Sequence, residues 1–315
     1  MIKPLIFLPL LLLFGVAAAQ QDPQFSQYMQ NNLAVNPGYA GSKDAICASL
    51  LGREQWVGLN GGPSTQVFNI DASVKPFKIN SGIGLTILND KLGFEKNIGL
   101  NLAYAYRMNI NNGNGKLGIG VSAGFYNKAL SATWDAGKSN GNINADQDQG
   151  IPGPKESVSI FDLNFGLFYK AENVYFGLSS THLTQPKFSY EKAKPSLKRH
   201  YYLTTGYNIA LSNPSFDLQP SVFIGTDASS SRVDLNTVLV YNKRIWGGVS
   251  YRVSSAIIGM LGIEFTNGLK IGYSYDFSTT NIRKYNNGSH EIMIGYCFNI
   301  LTEKIPHKYK SIRFL

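Results

Sequence analysis

Between Ile98 and Arg107 the chain alternates with period two. Ile98, Leu100, Leu102, Tyr104 and Tyr106 fall on one parity, and Gly99, Asn101, Ala103, Ala105 and Arg107 on the other. The pattern returns near the end. Ile271, Tyr273, Tyr275 and Phe277 alternate with Gly272, Ser274, Asp276 and Ser278; Ile292, Ile294, Tyr296 and Phe298 alternate with Glu291, Met293, Gly295 and Asn299. Such alternation places each set on one face of a β-strand. One face is large and apolar. The other is rich in Gly, Ser, Asn and Ala rather than the Lys, Glu and Thr of a water-facing sheet, which suits a confined lumen. The segments run about 10–14 residues, the reach of a tilted membrane strand.

Alternation predicts fourteen strands, near 45–57, 64–75, 80–89, 95–109, 116–129, 157–170, 173–182, 199–211, 215–226, 232–242, 245–253, 255–266, 269–279 and 289–300. An even number is usual for a bacterial single-chain barrel. Links after even-numbered strands are short, such as Lys243-Arg244 and Asn267-Gly268, while those after odd-numbered strands tend to be longer, notably 130–156, 183–198 and 280–288, with 253–255 an exception. Short periplasmic turns opposite long external loops mark outer-membrane barrels, and a secreted β-sandwich gains nothing from such asymmetry. The expected fold is therefore all-β: an antiparallel transmembrane β-barrel of about 14 strands, with a short helical segment before it. Both chain ends then fall on the short-turn side.

Composition agrees. Only 16% of the 315 residues are charged, against about 25% in soluble domains. Basic residues exceed acidic ones by 29 − 20 = 9. The excess gathers at Lys187, Lys192, Lys194, Lys198 and Arg199 in one loop, and at Lys304, Lys308, Lys310 and Arg313 in the tail. Such clusters either attract anionic lipid or polyanions or form a solvated rim; nucleic acid is not an expected partner.

The start of the chain reads as an address. Lys3, the apolar residues 5–16 and Ala17-Ala18-Ala19 have the order of a secretory signal peptide cleaved after Ala19. No later apolar run approaches the roughly 18 residues of a transmembrane helix. The expected divisions are a signal peptide at 1–19, a periplasmic N-terminal segment at 20–44, the outer-membrane barrel at 45–300 and a basic periplasmic tail at 301–315. Cys47 and Cys297 fall in the first and last strands, which barrel closure makes neighbours. They are either two unrelated small hydrophobes or a bridge across the seam.

Residues with chemistry fail their contexts. Gly113-Asn114-Gly115-Lys116-Leu117-Gly118 matches GxGxxG, but a strand follows it where a dinucleotide site needs a helix. Gly137-Lys138-Ser139-Asn140-Gly141 matches GxSxG within a Gly/Asn/Asp-rich loop, where no nucleophile elbow forms. Asn142, Asn144, Asp146 and Asp148 lack the Gly and Glu spacing of a calcium loop. His182, His200, His290 and His307 are scattered, none with a ligand partner at helical or turn spacing, and read as rim or tail residues. No enzyme, cofactor or metal site is expected.

After the leader, Asp22 can cap a helix whose first turn holds Pro23; Phe25, Tyr28 and Met29 lie at i, i+3 and i+4, Leu33 extends the stripe and Asn36-Pro37 ends it. Two readings stand: a short helix folded into or across the periplasmic mouth that narrows the lumen, or one that packs only for stability.

This same opening, Gln21-Asp22-Pro23-Gln24-Phe25-Ser26-Gln27-Tyr28-Met29 and then Asn36-Pro37-Gly38-Tyr39-Ala40-Gly41, resembles that of the PorP/SprF family of type IX secretion and gliding machinery. The resemblance continues through Arg53-Glu54-Gln55-Trp56, Gly62-Pro63, Arg199-His200-Tyr201-Tyr202, Gly272-Tyr273-Ser274-Tyr275-Asp276 and Gly288-Ser289-His290-Glu291-Ile292-Met293. It implies a non-enzymatic outer-membrane barrel that works with other secretion components at the periplasmic face. It also implies export or surface attachment of cargo, notably adhesins with a type-B C-terminal sorting domain. Family tails often end Ser-Pro-Arg-aromatic-aromatic; here Ser311-Ile312-Arg313-Phe314-Leu315 departs at Ile312 and Leu315. Candidate partner or plug contacts are Phe25, Tyr28, Met29, Asn36, Pro37, Tyr39, Arg313 and Phe314. The competing function is a diffusive porin or solute transporter; an outer-membrane hydrolase is third.

Overall fold

The structure, a computed structural model, describes residues 22–110, 114–131, 155–190 and 194–298. The proposed signal peptide, the GxSxG and calcium-like stretches, and the tail with Arg313 and Phe314 lie outside these residues.

The strands are β1 (Ile46–Glu54), β2 (Ser64–Val74), β3 (Ser81–Leu92), β4 (Glu95–Ile110), β5 (Gly115–Ser131), β6 (Lys155–Ala171), β7 (Val174–Thr181), β8 (His200–Tyr207), β9 (Ile209–Ala210), β10 (Phe216–Thr226), β11 (Ser231–Tyr241), β12 (Ile245–Arg252), β13 (Ala256–Glu264), β14 (Leu269–Ser278) and β15 (Ser289–Phe298). Each pairs antiparallel with its neighbours, and β15 pairs with β1 to close the sheet. β8 and β9 are two pieces of one wall strand, broken at Asn208. Pro220 causes the break: it stands next to Ser221, which pairs with Gly206, and has no N–H to give the ladder. The wall is thus a closed barrel of 14 strands, as alternation predicts. Closure removes the edges that an open sheet would expose.

The link asymmetry is less regular than expected. β3 and β4 join through only Gly93 and Phe94 on the side that carries the longer loops. The loop from His182 to Arg199 is no open rim either. Among its described residues, Phe188, Tyr190 and Leu197 pack with Tyr126 and Ile160 in one buried cluster.

Burial is inverted relative to a water-soluble protein. Leu102, Val249 and Leu261 are about 60% exposed on the outer face, while Arg53, Asp234, Asp276 and Glu291 are at most 2% exposed inside. Apolar side chains gain from facing hydrocarbon, and the polar set turns inward where partners are available. Cys47 pairs in register with Cys297, and the two form a disulfide across the seam. That bond joins residues 250 positions apart in sequence, so it restricts the unfolded chain across nearly its full described length.

The stretch before β1 departs from expectation. It is not one helix but a 3-10 turn at Tyr28–Gln30, a single turn α1 at Asn32–Val35 and a second 3-10 turn at Pro37–Tyr39. Neither is it confined to a periplasmic mouth. Residues 22–44 run through the lumen, from the long-loop end at Asp22 to the short-turn end, where β1 begins.

Candidate functional site

The lumen is occupied by the chain's own N-terminal segment, hereafter the plug. Its upper end is bound by backbone groups that a helix would have used internally. The N–H groups of Ser26 and Gln27 donate to the two carboxylate oxygens of Glu291 at 2.7 and 2.8 Å. The Ser26 hydroxyl donates to Asp276 at 2.7 Å and accepts from Arg53 at 2.8 Å. Competition from these wall carboxylates explains why the predicted helix gives way here.

A charge network surrounds that contact. Arg53 pairs with Asp276 at 2.7 Å and Glu291 at 3.3 Å; Arg252 reaches Asp276 at 3.0 Å and Asp234 at 3.1 Å. Arg232 pairs with Asp234 and donates to the Phe25 carbonyl at 2.5 Å. Arg53, Arg232 and Arg252 match Asp234, Asp276 and Glu291 one for one, so the buried set is neutral. Neutrality and near-complete hydrogen bonding are what allow charges to be held out of water.

Beside it, Asp22 accepts from His182 Nε2 at 2.9 Å and from the Tyr202 hydroxyl at 2.6 Å. His182 Nδ1 meets Asp162 at 2.8 Å. Burial alone would raise the Asp22 pKa, but the His182 charge and hydrogen bond, aided by His200 and Tyr202, hold it well below the usual carboxylate range. For His182, burial opposes the charged ring; the Asp22 charge and hydrogen bonds to both carboxylates outweigh it and push the pKa up to about 10. Asp22 is therefore an anchor to the wall, not a helix cap. Nor are the histidines all scattered: Thr181 pairs with His200 across β7 and β8, which sets His182 and His200 side by side.

Of the expected contact residues, Phe25 sits in an apolar cluster with Leu51, Val67, Trp246 and Met293, with Met29 packed against its edge. Tyr28 packs on Phe223 with ring centroids 5.0 Å apart and hydrogen-bonds Ser221 at 2.8 Å. Asn36 accepts from the Gly38 N–H and donates to the Leu167 carbonyl, each at 2.9 Å, so it caps the Pro37–Tyr39 turn and ties it to β6. Tyr39 packs edge-on against Phe168. The lower end is held by Arg107, which donates to the Ala40 carbonyl at 3.1 Å, and by Asp71, which accepts from the Gly41 N–H at 2.9 Å.

Lumen-facing glycines make the room. A Cβ on Gly120 would strike the backbone of Pro37 and Gly38, and one on Gly82 would strike the Ala40 carbonyl. Absence of a side chain lets the backbones meet. The fit is looser at the short-turn end, where a cavity of about 220 Å³ is bordered by Met29, Tyr39, Lys43, Lys170, Tyr175 and Tyr207.

Arg53, Asp276, Glu291, His182 and Asp162 were missed as anchors by sequence reasoning. The available signal was parity: Asp276 and Glu291 fall on the small or polar face, and a charge there must find a partner inside.

Among solved structures, the chain is similar to the Acinetobacter baumannii outer membrane protein Omp33, at 10% identity and TM-score 0.46, covering 81% of this chain and 99% of that one. It is also similar to the Ralstonia pickettii toluene transporter TbuX, at 10% identity and TM-score 0.48 over 84% and 92% of the two chains. A Pseudomonas aeruginosa FadL homologue aligns at 12% identity and TM-score 0.47 over 83% and 92%. No curated protein matches the sequence. The model of the type IX secretion system membrane protein PorP/SprF family matches residues 17–296. With most of the chain matched, the chain belongs to the PorP/SprF family of type IX secretion system membrane proteins.

Proposed function

We propose that this protein is a non-catalytic outer-membrane component of type IX secretion that supports export or surface attachment of adhesin-type cargo with a type-B sorting domain, including gliding-related surface proteins. One observation carries the reading: the lumen is filled by residues 22–44, tied to the wall from Asp22 to Gly41. A barrel so filled serves as a membrane-embedded platform rather than a conduit for solutes. The cavity beside Lys43 and Lys170, facing the short-turn side, leaves room there for contact with other secretion components.

Mass spectrometry of the culture supernatant and cell surface, comparing a deletion strain with its parent, tests this. Loss of one large surface protein is expected for a cargo-dedicated partner, and loss of the whole sorted set for a core component. An unchanged set of exported proteins would refute the secretion role and leave the porin reading in front.

A further inference from the structure

Asp22, His182 and His200 each direct a ligand-type atom into one small volume, with all three atoms within 4.8 Å of one another. His182 Nε2 lies 2.9 Å from one Asp22 oxygen, and the His200 ring stands beside the other, its Nδ1 3.7 Å away and donating to the Lys198 carbonyl at 3.0 Å, which leaves Nε2 as the nitrogen free for a metal. Two histidine nitrogens and one carboxylate suit a borderline divalent cation, zinc above all. The surroundings have the form of a supported site. Asp162 takes the far nitrogen of His182 at 2.8 Å, the carboxylate–histidine pairing that orients metal-binding imidazoles.

One buried polar atom of the set, His200 Nε2, has no hydrogen-bond partner. His200 is 6% exposed, and buried groups of this kind are ordinarily satisfied. A dication with the Asp22 and Asp162 carboxylates also sums to zero charge, which a buried position requires.

We propose that Asp22, His182 and His200 form a zinc-binding site that staples the upper end of the plug to β7 and β8, with Asp162 as the positioning residue for His182. Tetrahedral zinc holds ligands about 3.3 Å apart, so from separations of at most 4.8 Å metal entry draws the ligand atoms together by about 1.5 Å at most. The site joins the plug to the wall and to no other chain, so it stands whether or not the protein serves secretion.

The test uses the full mature barrel, purified in detergent, stripped with chelator and titrated with cobalt as a spectroscopic probe, then with zinc in competition. One equivalent of cobalt with visible ligand-field bands, displaced by zinc, is expected. Asp162→Asn should weaken zinc about 10–100-fold, and His200→Gln should abolish the bands. Heat-modifiable electrophoretic mobility verifies that each variant is folded. Absence of a cobalt band in the unsubstituted barrel would overturn the proposal, as would a band unchanged in folded His200→Gln.

Discussion

Replacing Arg53 with alanine is expected to destabilise the barrel by about 3–5 kcal/mol, the usual consequence of stranding a buried charge. Arg53 is the cation that pairs with Glu291, at 3.3 Å. Without it, Glu291 keeps the N–H groups of Ser26 and Gln27 but sits fully buried with its charge uncompensated. Asp276 suffers less, because Arg252 still reaches it at 3.0 Å. The loss falls on the plug as well as the wall, since Arg53 also donates to Ser26 Oγ. The temperature at which the barrel loses its heat-modifiable mobility measures the effect. A clear fall is expected for Arg53→Ala, and an unchanged midpoint would mean that the network contributes nothing to holding the plug.

Gly120→Leu is expected to expel the lower half of the plug while leaving the barrel closed. The Cβ alone would collide with the backbone of Pro37 and Gly38, and backbone cannot step aside as a flexible side chain can. Overpacking costs about 1–3 kcal/mol where a core can adjust. Here the cheaper adjustment is release of the Pro37–Tyr39 turn, because β5 is held by β4 and β6 along its length. Leu33 and Tyr39, both buried in the native protein, then become available to chymotrypsin. Cleavage within this stretch, read by mass spectrometry on the folded barrel, is expected for Gly120→Leu. It is not expected for Gly259→Leu, where nothing lies within 4 Å of the added Cβ. Equal resistance of both variants would contradict the close packing of plug and wall.

The wall was legible because alternation is a local property. Ile98 to Tyr106 and Ile292 to Phe298 point outward simply by parity, and the lipid rewards that parity at every position. The break at Asn208 was less visible, since it depends on Pro220 one strand away in the pairing. The plug was half legible. The apolar residues Phe25, Tyr28 and Leu33 announced a buried segment, but their spacing suggested a helix, and the wall carboxylates that draw Ser26 and Gln27 out of it lie about 250 residues on. The Asp22–His182–Asp162 contact was illegible for the same reason. Its members come from the plug, the end of β7 and the middle of β6, and only strand pairing reveals that His200 is adjacent. Cys47 and Cys297 were the exception among distant pairs, because closure of an even-stranded barrel itself brings the first and last strands together.

The chain stoppers its own barrel. Conductance of the intact protein in a planar lipid bilayer is the direct test. No large, steady open state is expected, because residues 22–44 fill the lumen and are anchored from Asp22 to Gly41. A large and persistent conductance from the unsubstituted protein would contradict it and make the barrel a pore.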